Sequence, residues 1–305
     1  MSERGRSMTR REMLSVSAAG GLGFALAASG PHGAWASGAG RRFGVQLYTV
    51  RDQITRDPAS TLKAIAEIGY RELEVLQETL ATVGPLAASL GLSPVSLHID
   101  PAFVLEPESA ATSTRLAEVV DRAKGFGVRY LVMAWIPFDR RPANAAGYQQ
   151  LGQRLNRVGE QAARAGMQLA YHHHAFEFAT VDGDRRALDV LLAAADPSLV
   201  KLELDAFWVA VTGADPVDLI RRHSGRIALM HLKDKASGVG PLLREDQVPR
   251  AAFAEVGSGS LDFRAILDAA DAAGVAHYFV EQDHTPGDPM DSLRKSFAHL
   301  RSLRG

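Results

Sequence analysis

Arg129–Ile136 reads RYLVMAWI, Tyr148–Gly166 reads YQQLGQRLNRVGEQAARAG, and Met167–His174 reads MQLAYHHH. The outer two are short runs of β-forming residues. The middle one carries its apolar residues at helical spacing and stops at Gly166, the residue suited to a left-handed C-cap. Strand, helix and strand in that order predict one unit of a parallel sheet.

The same alternation extends in both directions from Arg42 to the C-terminus. Before it lie the β-type runs FGVQLYTV, YRELEVL and SPVSLHI; after it come VKLELDAFWV, IALMHLKD and HYFVEQD. Helical runs such as ASTLKAIAEIG, TRLAEVVDRAKGFG and LDFRAILDAADAAG separate them, and DPMDSLRKSFAHLRSL closes the chain. Asp215-Pro216 and Asp288-Pro289 read as an N-cap followed by proline at the first helical position. Eight strands, each followed by a helix with no break in composition, predict an α/β fold: one (β/α)8 barrel of TIM type. The rival, a doubly wound open sheet, carries a glycine-rich phosphate turn after its first strand, and LYTVRDQ has none.

The N-terminus reads differently. MTRREMLSVSAAGGLGFALAASG has a basic start at Arg10 and Arg11, then an apolar stretch too short to span a bilayer comfortably. Thr9 to Leu14 resembles a twin-arginine export signal, and Ala34-Trp35-Ala36 fits a small-residue cleavage site. Residues 1–36 are therefore expected to be a signal peptide read by the twin-arginine export machinery. Residues 37–305 are expected to form the barrel domain, periplasmic or otherwise exported. The 305 residues are 46% hydrophobic and 23% charged, with a net charge of −1 and no cysteine. Charge balance gives no support to nucleic-acid binding. The missing thiols exclude disulfides, thiolate metal ligands and cysteine nucleophiles. Homo-oligomerisation is left open.

In such a barrel the chemistry sits at the C-terminal ends of the strands. Those ends carry Glu72 and Glu74, then His98, Trp135, His172-His173-His174 with Glu177, Asp205, His231 with Lys233, and Glu281 with Asp283. Strand periodicity puts Asp205 on the face of Glu203 and Glu281 on the face of Asp283. Each has an ordinary reading: Asp205 as a helix cap, His231 as a satisfied core histidine, Glu281 as the partner of Lys233. Together, polar ligand types recurring around one rim point to a divalent cation that offsets carboxylate repulsion. Mn2+ leads the expected ions, with Mg2+, Co2+ and Zn2+ as alternatives. Open coordination positions are expected for substrate or water.

FGVQLYTVRD, YHHHAFEF, LELDAFWV, HLKDK, VGSGSLDF and FVEQD, in this order, resemble the xylose-isomerase-like barrel superfamily, and within it the sugar phosphate isomerase/epimerase group. The resemblance covers the chain from about Arg42 onward. It implies that Glu177, Asp205, His231 and Glu281 hold one divalent metal. The first assignment is open, because relatives place that ligand right at the strand end, where this chain has Tyr171 to His174. His172 or His174 could ligate directly, or else orient the ligands and bind substrate oxygens. The abasic-site endonuclease of the superfamily uses three zinc ions. No obvious second and third ligand sets, and no basic surplus, support that function here.

The implied chemistry is proton transfer beside the carbonyl of a keto-sugar through a cis-enediolate, stabilised by the metal as Lewis acid. Glu177 and Glu281 are the expected acid/base groups, and Lys233 polarises the same oxygen. His98, Trp135, His172, His174 and Trp208 are expected substrate contacts. The Gly257-Ser258-Gly259 turn offers amides to a substrate oxygen, or simply forms a turn. Export argues against a phosphorylated substrate and for a free sugar, keto-sugar or oxidised glycoside. The leading expectation is an isomerase or epimerase. The alternatives are a lyase or dehydratase on the same ketone, and a barrel that only binds sugar.

Overall fold

The structure, a computed structural model, describes residues 41–303. The expected signal peptide, residues 1–36, lies outside the described residues. Eight strands close a barrel: β1 (Phe43–Gln46), β2 (Glu72–Leu76), β3 (Ser93–His98), β4 (Tyr130–Met133), β5 (Gln168–His172), β6 (Val200–Asp205), β7 (Ile227–Leu232) and β8 (His277–Val280). Each pairs in parallel with its sequence neighbours, and β1 pairs with β8 in the register Phe43↔Tyr278 and Val45↔Val280. Helices connect consecutive strands, as the alternation predicts.

The helix between β4 and β5, Ala145–Arg164, shows why these sequences fold locally as they do. Asn144 caps it by accepting the Gly147 N–H at 3.0 Å. Tyr148, Leu151, Leu155, Val158 and Ala162 recur on one buried face. Gly166, at φ +78°, ends it, and the Met167 N–H reaches back to the Ala162 carbonyl at 2.9 Å. Asp215, Asp262 and Asp288 cap later helices in the same way.

The barrel interior is layered. An apolar floor is made by Val95, Val132, Ala170, Leu229 and Phe279, all buried. Burying a side chain the size of Leu229 or Phe279 contributes about 1.5–3 kcal/mol. Gly44 makes room for the Phe279 ring, since a Cβ there would lie 2.5 Å from it. Two residues further along the strands, Ala170 gives way to His172, Leu229 to His231, and Phe279 to Glu281. The strand period of two thus stacks a charged layer on an apolar plug, at the C-terminal mouth.

Candidate metal centre and catalytic mouth

Four strands meet at this layer. One donor atom from each of His172, Asp205 and His231 lies within 4.8 Å of the others. All three residues are buried. Asp205 ends β6 and divides its carboxylate between two tasks. Its Oδ1 accepts the N–H groups of Phe207 and Trp208, at 2.8 and 3.1 Å, and so caps the helix Ala206–Val211. Its Oδ2, also buried, accepts no well-aligned hydrogen bond and faces the Lys233 ammonium at 3.1 Å and His231 Nδ1 at 3.7 Å. A buried carboxylate oxygen needs a cation beside it. The helix cap and the oxygen turned toward the cluster thus fall on different atoms.

Two carboxylates stand behind the imidazoles. Glu74 Oε1 lies 2.6 Å from His231 Nε2 and 2.6 Å from His98 Nε2, while Ser96 donates to its other oxygen at 2.6 Å. Gln46 Nε2 lies 3.0 Å from His98 Nδ1, and the Nε2–H of His98 faces Glu74. With Nε2–H of His231 also given to Glu74, its Nδ1 faces Glu281 Oε2 at 3.0 Å and Asp205 Oδ2 at 3.7 Å. Glu203 Oε2 lies 3.2 Å from His172 Nδ1. Once ionised, which burial and Glu74 delay to about 8, Glu203 takes that N–H and leaves His172 Nε2 with its lone pair. A carboxylate behind each imidazole is the arrangement that fixes the tautomer of a metal-ligating histidine. His173, outward by strand parity, does a different job. Its Nε2 accepts the Asp205 N–H at 3.2 Å and its Nδ1 donates to the His174 carbonyl at 3.2 Å. Burial holds it neutral, down at about 4.

Lys233 is 1% exposed, not a surface residue. Its Nζ lies 2.5 Å from Glu281 Oε2, 3.0 Å from Asp283 Oδ2 and 3.1 Å from Asp205 Oδ2. Burial works against its charge, but these three carboxylates hold it protonated, well above the ordinary lysine value. The same cations work back on the acids. Burial raises Glu281, yet Lys233 and His231 bring it down strongly, so it is ionised. Asp283 is pushed up to about 6 by burial despite Lys233. Glu74 stays ionised against its burial because His98 and His231 flank it. Glu203, beside it, is pushed up to about 8 by burial and by the Glu74 charge. His231 is raised well above the ordinary imidazole value; burial opposes this, and Glu203, Glu281 and Glu74 outweigh it. The mouth thus carries a surplus of negative charge and attracts cations. An ion here suits the donor set: imidazole nitrogen and carboxylate oxygen, no sulfur.

The remaining expected residues divide. Trp135 and His174 stand at the rim with Trp208: the His174 ring lies 5.2 Å from each indole and 4.9 Å from the His172 ring. Burial, first, and Lys233 press His174 well below the ordinary imidazole value, so it is neutral. His98 lies in the deeper layer, pushed to about 9 by Glu74 and Glu203 against its burial. Glu177 is not brought into the metal group. Tyr171, outward on β5, donates its hydroxyl to Glu177 Oε1 at 2.5 Å, and the His174 N–H donates to Oε2 at 2.9 Å. Five residues past His172, in the 3-10 turn Phe176–Phe178, Glu177 has both oxygens engaged away from the cluster. The amides of the Gly257–Gly259 turn are also taken. The N–H groups of Gly257, Gly259 and Leu261 donate to Asp234 at 2.9, 2.9 and 3.2 Å. That nest holds a carboxylate of the chain itself. Glu74, Glu203 and Asp283 complete the cluster without having been assigned roles from sequence. Their signal was parity: Glu203 lies two residues before Asp205, and Asp283 two after Glu281.

A family model for the xylose isomerase-like TIM barrel matches residues 59–303. The inosose dehydratase of Geobacillus thermodenitrificans is 32% identical over 178 residues, 55% of this chain and 59% of that protein. The inosose dehydratase of Lacticaseibacillus casei is 28% identical over 162 residues, covering 50% and 53%. The chain therefore spans a little over half the length of these curated relatives. A sugar phosphate isomerase/epimerase from Parabacteroides distasonis superposes with a TM-score of 0.71 at 23% identity, over 88% of this chain and 97% of that one. The IOLI protein, solved with a bound zinc atom, gives 0.66 at 14% identity, over 86% and 97%. At such identities the structural likeness speaks for the fold. On the match of the family model, which spans all but the first strand of the barrel, this chain belongs to the xylose isomerase-like TIM barrel family.

Proposed function

We propose that this protein is a metal-dependent enzyme that removes a proton from the carbon beside the carbonyl of a keto-polyol and then expels a β-hydroxyl as water. The observation that carries this reading is the buried convergence of His172, Asp205 and His231, whose donor atoms lie within 4.8 Å of one another, with Lys233 and Glu281 in contact beside them. His172, Asp205, His231 and Glu281 would hold the ion, with Glu203 and Glu74 orienting the two imidazoles. When bound, a divalent cation supplies Lewis acidity for the carbonyl oxygen and so acidifies the neighbouring C–H.

The chain's own groups supply the proton traffic. Ionised Glu281 takes the proton from carbon. The Lys233 ammonium gives a proton to the departing hydroxyl, which leaves as water with the electron pair of its C–O bond. The electrons of the broken C–H bond form the new double bond. Glu281, now protonated, lies 2.5 Å from Lys233 Nζ and returns the proton, so the enzyme ends as it began. Groups placed this way contribute about 10²–10⁴-fold each. Neutral His174, with Trp135 and Trp208, would receive the hydroxylated and apolar sides of the polyol.

Elimination is preferred over isomerisation because the relatives named by sequence are inosose dehydratases at 32% and 28% identity. An inosose is the first substrate to try. The isomerase or epimerase reading shares the first step and differs in returning the proton to carbon. Incubating the metal-loaded chain with inosose and other keto-polyols in D2O, followed by NMR and mass spectrometry, separates them. A product lighter by water supports elimination. Deuterium at carbon without loss of mass supports isomerisation or epimerisation. Binding with neither leaves a sugar-binding barrel and defeats the proposal. Export stays part of the proposal on the strength of the leader alone; fractionation of cells expressing the full chain, with the twin lysine variant of Arg10 and Arg11, tests it.

A further inference from the structure

Beside the mouth, three strand-to-helix loops enclose a cleft of about 650 Å³. The loop after β1 gives Thr49 and Arg51, the long loop after β7 gives Arg250 and Phe253, and the loop after β8 gives Asp283 and His284. The cleft is joined to the catalytic cluster through Asp283, whose carboxylate also contacts Lys233 Nζ at 3.0 Å. Its walls are tied to each other. The Gln282 N–H donates to Thr49 Oγ1 at 3.1 Å, and Arg51 donates to the Asp283 carbonyl at 3.2 Å and the Tyr48 carbonyl at 2.8 Å. Arg51 is further held by stacking over the Tyr48 ring at 4.2 Å. A ligand seated at the metal-binding cluster and longer than its reacting carbons would extend into this space.

The cleft differs from the mouth in its charge balance, with two guanidinium groups against two carboxylates. Two guanidinium groups line it, and among the described residues no carboxylate forms an ion pair with either. Of its two carboxylates, Asp283 faces Lys233, and Asp52 is exposed. His284 reports the local field: burial first, then Arg250, Arg51 and Lys233, press it below the ordinary imidazole value. Phe253 packs edge-on against the His284 ring at 5.5 Å and gives one wall an apolar surface. Arg51 is pre-set by its backbone partners, and Arg250 is exposed and free of any hydrogen bond or ion pair within the described chain. Guanidinium groups of this kind match anionic oxygens.

We infer that this cleft is a substrate subsite for an anionic group carried on the polyol several atoms from the reacting carbonyl, a carboxylate if the chain is exported as proposed and a phosphate ester if it is not. This rests on the proposed keto-polyol chemistry for which end of the substrate reacts, and it departs from a neutral inosose in what the other end carries. Arg250 is the specificity-determining residue and Arg51 the fixed half of the pair.

The test is equilibrium binding of three probes to the metal-loaded chain: 5-keto-D-gluconate, neutral L-sorbose, and D-fructose 6-phosphate. The expected result is that at least one anionic probe binds about tenfold or more tightly than sorbose at low salt, the scale of one charge-assisted guanidinium contact. That preference should fall at least severalfold in Arg250→Glu, while sorbose binding is unchanged. The stronger of the two anions identifies carboxylate or phosphate as the group. Equal binding of charged and neutral probes, an unchanged preference in Arg250→Glu, or no binding of any probe overturns the inference. Deuterium exchange into the same probes is read in parallel. Exchange into sorbose without anion preference removes this subsite and leaves the proposed chemistry standing; anion preference without exchange or elimination in any probe does the reverse.

Discussion

At the scale of single residues, the decisive contrast is between His172 and Glu177. Both belong to one short stretch, and both are fully or nearly fully buried. Parity separates them: His172 shares the inward face of β5 with Ala170, whereas Glu177 answers to the outward Tyr171. The expected outcome is that Glu177→Gln retains the metal, because a Gln amide can accept from the His174 N–H and donate to the Tyr171 oxygen. His172→Ala and Asp205→Asn should each lower metal affinity by well over tenfold, by the scale that ligand-supporting residues already set. Metal content after dialysis measures this; loss of the ion in Glu177→Gln would return Glu177 to the ligand set. The same substitution has a pH signature. Burial raises Glu177 to about 7, above its unfolded value near 4.5. The folded state then holds a proton that the unfolded state has released, so the contribution to stability is fully present below pH 4.5 and is lost as pH rises to 7. Wild type should lose up to about 3 kcal/mol relative to Glu177→Gln across that window, from about 1.4 kcal/mol per pKa unit. Parallel curves of the two proteins against pH in urea melts would disprove it. From sequence, the placement of Asp205, His231, Lys233 and Glu281 at one mouth was legible because each lies at the end of a strand in a recognisable run. The placement of His172 rather than Glu177 in the cluster was harder, since a carboxylate five residues on competes in a one-dimensional reading and strand parity separates the two.

Elements carry the next lesson. The strand and helix order was readable because several helices announce an end with Asp, Asn or Gly and each strand is short and bounded. The loops were not readable. The run from Lys235 to Gly259 contains Gly, Ser and Pro at many positions, and its shape depends on a partner distant in sequence. That partner is Asp234, just past β7, whose carboxylate gathers the amides of Gly257, Gly259 and Leu261. A three-residue amide cradle in a sequence reads equally well as a ligand site, and only coordinates show that the chain fills it. The close approach also explains Gly259, where an added Cβ would stand 2.4 Å from Asp234 Oδ1 and 2.5 Å from the Lys235 carbonyl. Asp234→Ala would strand four amide donors, those of Lys235, Gly257, Gly259 and Leu261, and should cost about 2–5 kcal/mol, at about 1–3 kcal/mol for each donor left without a partner and with water relieving most of them. Gly259→Ala should cost about 1–3 kcal/mol through overpacking. Thermal melts of the two variants check this, and changes below about half a kcal/mol would show the loop to be held by something else.

For the whole molecule, the barrel's closure is what makes the mouth expensive and useful. A closed sheet has no edge to yield, so Glu74, Glu203, Asp205, Glu281 and Asp283 cannot move apart to relieve their repulsion. Lys233 and protons on the histidines offset part of it. An ion bound by the folded barrel and absent from the unfolded chain adds to global stability by mass action. At a free ion concentration about a hundredfold above Kd, that is about 3 kcal/mol, or a rise in Tm of about 5–10 °C for a domain of this size. The sign of the pH dependence follows from which groups must give up protons. Asp283 at about 6, Glu203 at about 8 and the raised His231 all hold protons that compete with a cation. Raising the pH from 6 to 8 takes the proton from Asp283 and begins to take it from Glu203, so the Tm difference between metal-loaded and chelator-treated protein should widen over that range. In Asp205→Asn the difference should nearly vanish at every pH, because the charged carboxylate that faces the ion is replaced by a neutral amide. Calorimetry of loaded and stripped wild type and variant, with Mn2+, Co2+ and Zn2+ in turn, makes the measurement. A difference that narrows with rising pH, or persists at full size in the variant, would place the ion somewhere other than between β5, β6, β7 and β8.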